Sequence, residues 1–233
     1  MKARGNRVQG ALGILLMLSV APATDAAPPV AASALSARVE AATPDPQHGR
    51  ILYLKRCAGC HRPRAWGDGP REIPALAGQP ERYLIAQLAR FASGERLGSA
   101  MHGPAMPEAV QPGDVDRPQA LRDLAAYLAS IERNPHPEYG DGRALAAGAR
   151  AYGQGCPVCH GEAGAGNDRG PTPRLAGQHF HYLLSRLRDF ETVHGAHGEA
   201  ATAAAAAPPA VPERQAIADY LARLSETGAD PAR

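Results

Sequence analysis

The chain is poor in the side chains that usually fill a large hydrophobic core. Its 233 residues include only three Phe, one Trp and seven Tyr, which excludes one broad aromatic core. Alanine is abundant instead, and alanine helices pack closely while burying little area per residue. Such domains are marginal unless something bulky and apolar fills their centre. Convincing period-two alternation is absent, which argues against strands. No apolar run reaches the ~20 residues needed to span a bilayer. A strong charge excess is missing as well. The formal net charge of +2 falls to near zero once the N-terminal segment described next is removed. Nucleic acid and anionic membranes are therefore not indicated as partners.

The first 26 residues read as a secretory signal. Lys2, Arg4 and Arg7 form a basic start, Gly10 to Ala21 an apolar stretch, and Thr24-Asp25-Ala26 a small-residue cleavage site. Cleavage after Ala26 is expected to release the chain into the periplasm with no integral membrane segment; an uncleaved anchor is the alternative. Residues 27–47, rich in Ala and Pro, read as an unstructured leader. A first domain is expected over 48–133, a linker over 134–142, a second domain over 143–225 and a disordered tail over 226–233. The stretch Ala200 to Pro212 is of low complexity and reads as mobile.

The two domains are copies of one unit. At a constant offset of 99, Gly49 matches Gly148, Tyr53 matches Tyr152, and Cys57-Cys60-His61 matches Cys156-Cys159-His160. The register continues through Pro74 and Pro173, the LAGQ segments at 76–79 and 175–178, and Tyr83-Leu84 on Tyr182-Leu183. It runs on to Leu88 on Leu187 and Phe91 on Phe190. The closing helices around Tyr127 and Tyr220 match at an offset of 93, so the second copy is six residues shorter ahead of that helix. Helices are predicted over Gly49 to Ala58, Glu81 to Ala92 and Arg117 to Ile131 from apolar spacing. The long loop Pro63 to Gly78 is unusual in a compact domain unless it wraps something.

Four cysteines in an exported chain would ordinarily suggest two disulfides. Here each pair is followed at once by histidine, as CAGCH and CPVCH. Two intervening residues place both sulfurs on one side of a helical turn, where they can add to the two vinyl groups of a haem. The next residue then turns its imidazole toward the iron. A zinc ribbon would need its cysteine pairs about 15–20 residues apart. A thioredoxin-type pair would need a βαβ context, and a short disulfide would leave both histidines unexplained. Two covalently bound haem c groups are therefore expected, on Cys57, Cys60 and His61 and on Cys156, Cys159 and His160.

These motifs, the P-x-LAGQ-x3-YL-x3-L-x2-F segments and the closing LAAYL and IADYL helices resemble the dihaem cytochrome c4 family over residues 48 to 225. The resemblance implies an all-α fold of two tandem class I cytochrome c domains, each wrapped around one haem. It also implies that Pro74 and Pro173 offer a backbone carbonyl to the proximal histidine. Methionine is the usual sixth ligand of class I domains, and after the signal segment only Met101 and Met106 remain. Met106, followed by proline, is the expected ligand of the first iron, with Met101 the alternative. The second copy has no methionine, a departure from the family pattern. His197, with His194 as alternative, stands nearest the vacated position, or else the site is open. His179 and His181 are weaker candidates, because their slots align with Pro80 and Arg82.

The expected function is electron transfer between a quinol-oxidising complex or dehydrogenase and a terminal oxidase or reductase. Its partners would be redox proteins. Lys55, Arg56, Arg62 and Arg64 crowd the first cysteine pair and would suit an acidic one. Two alternatives stand beside this: a subunit of a dehydrogenase complex, such as a flavin-containing sulfide dehydrogenase, and a peroxidase-like or gas-binding protein using an open second haem.

Overall fold

The computed structural model describes residues 31–96, 118–189 and 209–224. Within them the chain is helical: α1 (Ala32–Glu40), α2 (Pro46–Arg56), α3 (Ala58–His61), α4 (Glu81–Ala92) and α5 (Pro118–Ser130) form the first half. The second half holds α6 (Leu145–Gly153), α7 (Pro157–His160), α8 (Phe180–Arg188) and α9 (Val211–Arg223). Among the described residues the only β pairings are two isolated bridges, Asp68 with Ile73 and Asn167 with Thr172, again 99 apart.

Helix α2 starts three residues earlier than predicted. Asp45 caps it by accepting from the Gln47 and His48 N–H groups, and Pro46 takes the first helical position, where a missing N–H costs nothing. The prediction for α4 agrees with its observed bounds. Helix α9 begins at Val211, so the end of the stretch read as mobile is ordered.

One expectation needs correction. Residues 27–47 do not form an unstructured leader throughout, because α1 lies within them and belongs to the core. Ala32, Leu35 and Val39 make a buried stripe at helical spacing, packed on α4 and α5. Alanine-rich composition hides such a stripe, since alanine is compatible both with a linker and with the best of helices.

The core of each half is a helix crossing. In the first, α2 lies on α5, and Tyr53 meets Tyr127 with ring centroids 5.7 Å apart. In the second, α6 lies on α9, and Tyr152 meets Tyr220 at 6.1 Å. Both crossings are close because of a glycine. A Cβ on Gly49 would stand 2.0 Å from the Asp123 carbonyl oxygen, and one on Gly148 2.0 Å from that of Ala216. The same tyrosines serve the loops: Tyr53 donates its hydroxyl to the Arg62 carbonyl, and Tyr152 does so to Gly161. No helix among the described residues is long and apolar enough to cross a membrane. The signal segment and the tail lie outside the described residues.

Candidate functional site

Each cysteine pair sits where one helix ends and a single turn follows. In the first half Cys57 N–H still bonds to the Tyr53 carbonyl, closing α2. The Cys60 and His61 N–H groups then both return to the Cys57 carbonyl, at 3.1 and 2.9 Å. The second half repeats the turn, with Cys159 and His160 on the Cys156 carbonyl at 3.3 and 3.0 Å. All four thiols are unbridged; Cys60 and Cys159 are exposed while Cys57 and Cys156 are partly buried. Burial, then the neighbouring Cys60, pushes the Cys57 thiol up to about 12, and burial raises that of Cys156.

The two histidines are buried. Burial holds both imidazoles below their ordinary range, so they are neutral, against the opposing pull of a proline carbonyl. His61 Nδ1 lies 3.1 Å from the Pro74 oxygen, and His160 Nδ1 lies 3.0 Å from that of Pro173. A carbonyl only accepts, so the proton resides on Nδ1 and Nε2 carries the lone pair. That is the tautomer needed to bind iron through Nε2, with the ring's orientation set by the hydrogen bond to the proline carbonyl.

The loop that follows is shaped to keep the proline in place. Gly67 N–H bonds to the His61 carbonyl, and the Leu76 and Ala77 N–H groups both reach back to Ala65. Ala65, Ala75 and Ala77 of this loop are buried, as is Ala176 in the second half. Two unbridged cysteines on one turn and a buried imidazole of fixed tautomer directly after them fit a covalent haem c. Among the described residues no group of three His, Cys, Asp or Glu side chains is placed to hold a bare metal ion.

The candidate distal ligands Met101, Met106, His194 and His197 lie outside the described residues. His179 is accounted for otherwise. It is buried, its Nδ1 accepts from Glu138 N–H at 3.0 Å, and its Nε2 donates to the Trp66 carbonyl at 2.7 Å. Both nitrogens are therefore engaged, Nδ1 with the linker and Nε2 with the first half. His181 is exposed and pairs with the Glu138 carboxylate.

The basic cluster is exposed but partly engaged. Lys55, Arg62 and Arg64 all face solvent, while Arg62 pairs with Asp68 and Arg64 stacks over Trp66 at 4.8 Å. The equivalent positions in the second copy, Gln154, Gly161 and Ala163, carry no charge, and Val158 beside Cys159 is 87 % exposed. The two attachment turns thus present different surfaces.

The residues that reading the sequence missed are those joining the halves. Gln79 and Gln178, the last letters of the two LAGQ segments, are buried and reach across to the other half's loop. Tyr83 and Tyr182, also 99 apart, stand beside each other, and burial raises the Tyr83 phenol. Arg96 donates to the Tyr182 hydroxyl, and Arg82 to the Arg169 carbonyl. The only signal in the sequence was that these polar letters recur in register.

Comparison with known proteins gives matches over both halves. The cytochrome c family model matches residues 46–132 and again 145–225. Cytochrome c4 of Azotobacter vinelandii is 35% identical over 144 residues, covering 58% of this chain and 67% of the relative. That of Thiocapsa roseopersicina is 32% identical over 193 residues, covering 78% and 94%. The crystal structure of reduced recombinant cytochrome c4 from Pseudomonas stutzeri is similar at a TM-score of 0.62 and 26% identity. The match spans 78% of this chain and 100% of that one. Thiosulfate dehydrogenase from Marichromatium purpuratum is similar at a TM-score of 0.62 and 30% identity, over 76% of this chain and 40% of that one.

Proposed function

The chain belongs to the cytochrome c family as a dihaem electron-transfer member of the cytochrome c4 type, with two covalently bound haem c groups, and from that premise we propose that it is a periplasmic electron carrier. It takes electrons from a quinol-oxidising complex or a dehydrogenase and delivers them to a terminal oxidase or reductase. The observation that carries this reading is the duplicated attachment turn. Two identically built histidine anchors sit in halves stitched together by buried hydrogen bonds.

Cys57 and Cys60 hold the first haem by thioethers and His61 ligates its iron; Cys156, Cys159 and His160 serve the second. When bound, each haem supplies a one-electron centre whose potential follows its axial ligands. Pro74 and Pro173 fix the imidazoles by accepting a hydrogen bond from Nδ1–H at the carbonyl oxygen. Met106 would supply the sixth ligand at the first site, with Met101 the alternative. His197 would fill that place at the second, with His194 the alternative. Imidazole favours ferric iron more than a thioether does, so these ligand sets would give the second site the lower potential and direct electrons from it to the first. The exposed Lys55 and the arginines beside it give the first site a basic rim for an acidic partner, whose association should slow as salt rises.

A redox titration with spectra tests this. Two separate waves are expected, the upper one alone showing the far-red methionine–iron absorption. Met106→Ala should abolish that absorption and Met101→Ala should keep it; the reverse transfers the role to Met101. A single high-potential wave for both haems contradicts the unequal ligation. Carbon monoxide binding to the unmodified second haem identifies an open site and favours a ligand-binding or enzymatic role.

Similarity to a thiosulfate dehydrogenase structure favours a second reading, in which the chain accepts electrons as the partner or subunit of a dehydrogenase. Co-purification with such an enzyme supports it. Reduction of the isolated chain by thiosulfate alone would make it an enzyme in its own right.

A further inference from the structure

The two buried glutamines make a reciprocal pair of amide bridges. Gln178 Oε1 accepts from Ala75 N–H at 2.8 Å, and its Nε2 donates to the Ala75 carbonyl at 2.8 Å. Gln79 does the same to Arg174, accepting from its N–H at 3.0 Å and donating to its carbonyl at 3.0 Å. The amide orientation is dictated, because each oxygen faces an N–H and each nitrogen a carbonyl. Gln178 Oε1 also accepts from His179 N–H at 3.0 Å.

The bridged residues each follow an anchoring proline. Pro74 C=O and Ala75 N–H belong to one planar peptide group, as do Pro173 C=O and Arg174 N–H. In the first half a continuous chain of hydrogen bonds therefore runs from His61 Nδ1–H to the Pro74 oxygen, through that peptide, and from Ala75 N–H to Gln178. In the second half it runs from His160 Nδ1–H through the Pro173–Arg174 peptide to Gln79. A peptide whose N–H is engaged by an acceptor is polarised, and its carbonyl becomes the better acceptor. Each proximal histidine is thus anchored by a carbonyl whose strength is set by the opposite half.

We propose that Gln178 and Gln79 are positioning residues acting across the domain boundary, each strengthening the proline anchor of the other domain's proximal histidine and so lowering the potential of the other domain's haem. This rests on the reading that both halves carry haem. A stronger Nδ1–H bond makes the imidazole a more electron-rich ligand, which stabilises the oxidised iron. Docking of the halves and tuning of both sites then become one event, and neither half on its own has the ligand strength it has in the pair.

The test uses the full-length holoprotein. Gln178→Leu and Gln79→Leu remove the bridges, and Gln178→Met and Gln79→Met do so at unchanged length. Two readouts are taken: the midpoint of each haem, assigned by NMR of the haem methyl groups, and the Nδ1–H resonance of each proximal histidine in the reduced protein. Replacing Gln178 should raise the midpoint of haem 1. At the wild-type midpoint the oxidised-to-reduced ratio should fall about threefold, the size of one modest hydrogen bond. The His61 Nδ1–H resonance should move upfield, while haem 2 and His160 stay unchanged. Replacing Gln79 should give the mirror result. A shift confined to the variant's own domain, an equal shift of both haems, or no shift overturns the proposal. Loss of haem from all four variants also overturns it, since the amides would then serve assembly. The haem count of the wild type tests the underlying reading separately: two haems without a crossed shift leave that reading intact.

Discussion

At the scale of single residues, the two copies record what one position demands. The residue after each Cys-x-x-Cys-His unit has the same backbone conformation, φ 68° and ψ 157° at Arg62 and φ 77° and ψ 157° at Gly161. That region is all but reserved for glycine. The tyrosine hydroxyl on its carbonyl shows why it must be adopted, since the turn has to hand the chain from the histidine into the proline loop. Arg62 therefore holds strain that Gly161 does not. Arg62→Gly should stabilise the holoprotein by about 1 kcal/mol. The exposed pair with Asp68 returns only a few tenths of that. Guanidinium unfolding checks it, and a destabilised variant would mean the ion pair outweighs the backbone. The attachment motif itself was legible in the sequence because its chemistry is local, five consecutive residues in one turn. The role of Gln79 and Gln178 was not, because their partners are 95 and 103 residues away.

At the scale of elements, close packing replaces large side chains. Gly49→Ala should destabilise by about 2 kcal/mol or more, because backbone cannot yield to a Cβ 2.0 Å away. Gly148→Ala should do the same to the second half. Gly153→Ala is the control: nothing lies within 4 Å of its Cβ position, so it should be neutral or mildly stabilising by helix propensity. Thermal unfolding of the three variants separates the cases, and equal melting points would contradict the close-crossing account. Helix α1 gives the complementary case. Leu35→Ala should cost about 2–3 kcal/mol, since Leu35 is buried against the first core; an unchanged protein would mean α1 is dispensable. The periodic helices α4 and α5 could be read from leucine spacing, because their apolar faces are made of large residues. Helix α1 could not, because a stripe of Ala32, Leu35 and Val39 in an alanine-rich segment has little contrast with its other face.

At the scale of the whole molecule, duplication explains both the economy of the core and the arrangement of the sites. Two small helical units, each short of large apolar side chains, gain a covalent filler and a shared buried interface. The repeat was visible as a constant offset in the sequence. The pseudo-symmetric interface became visible only once the fold brought Gln79, Gln178, Tyr83, Tyr182 and His179 to the boundary between halves. The copies then diverge around that common frame, with a basic rim and two methionines in the first and a shorter, methionine-free loop in the second. Unequal potentials, a direction of electron flow and the choice of partners all depend on each attachment turn carrying its own haem. The direct measurement is the intact mass of the purified protein after acid-acetone extraction. The expected mass is two haem groups above that of the polypeptide, with no haem released into the acetone. Recovery of one haem, of none, or of bound zinc would contradict it.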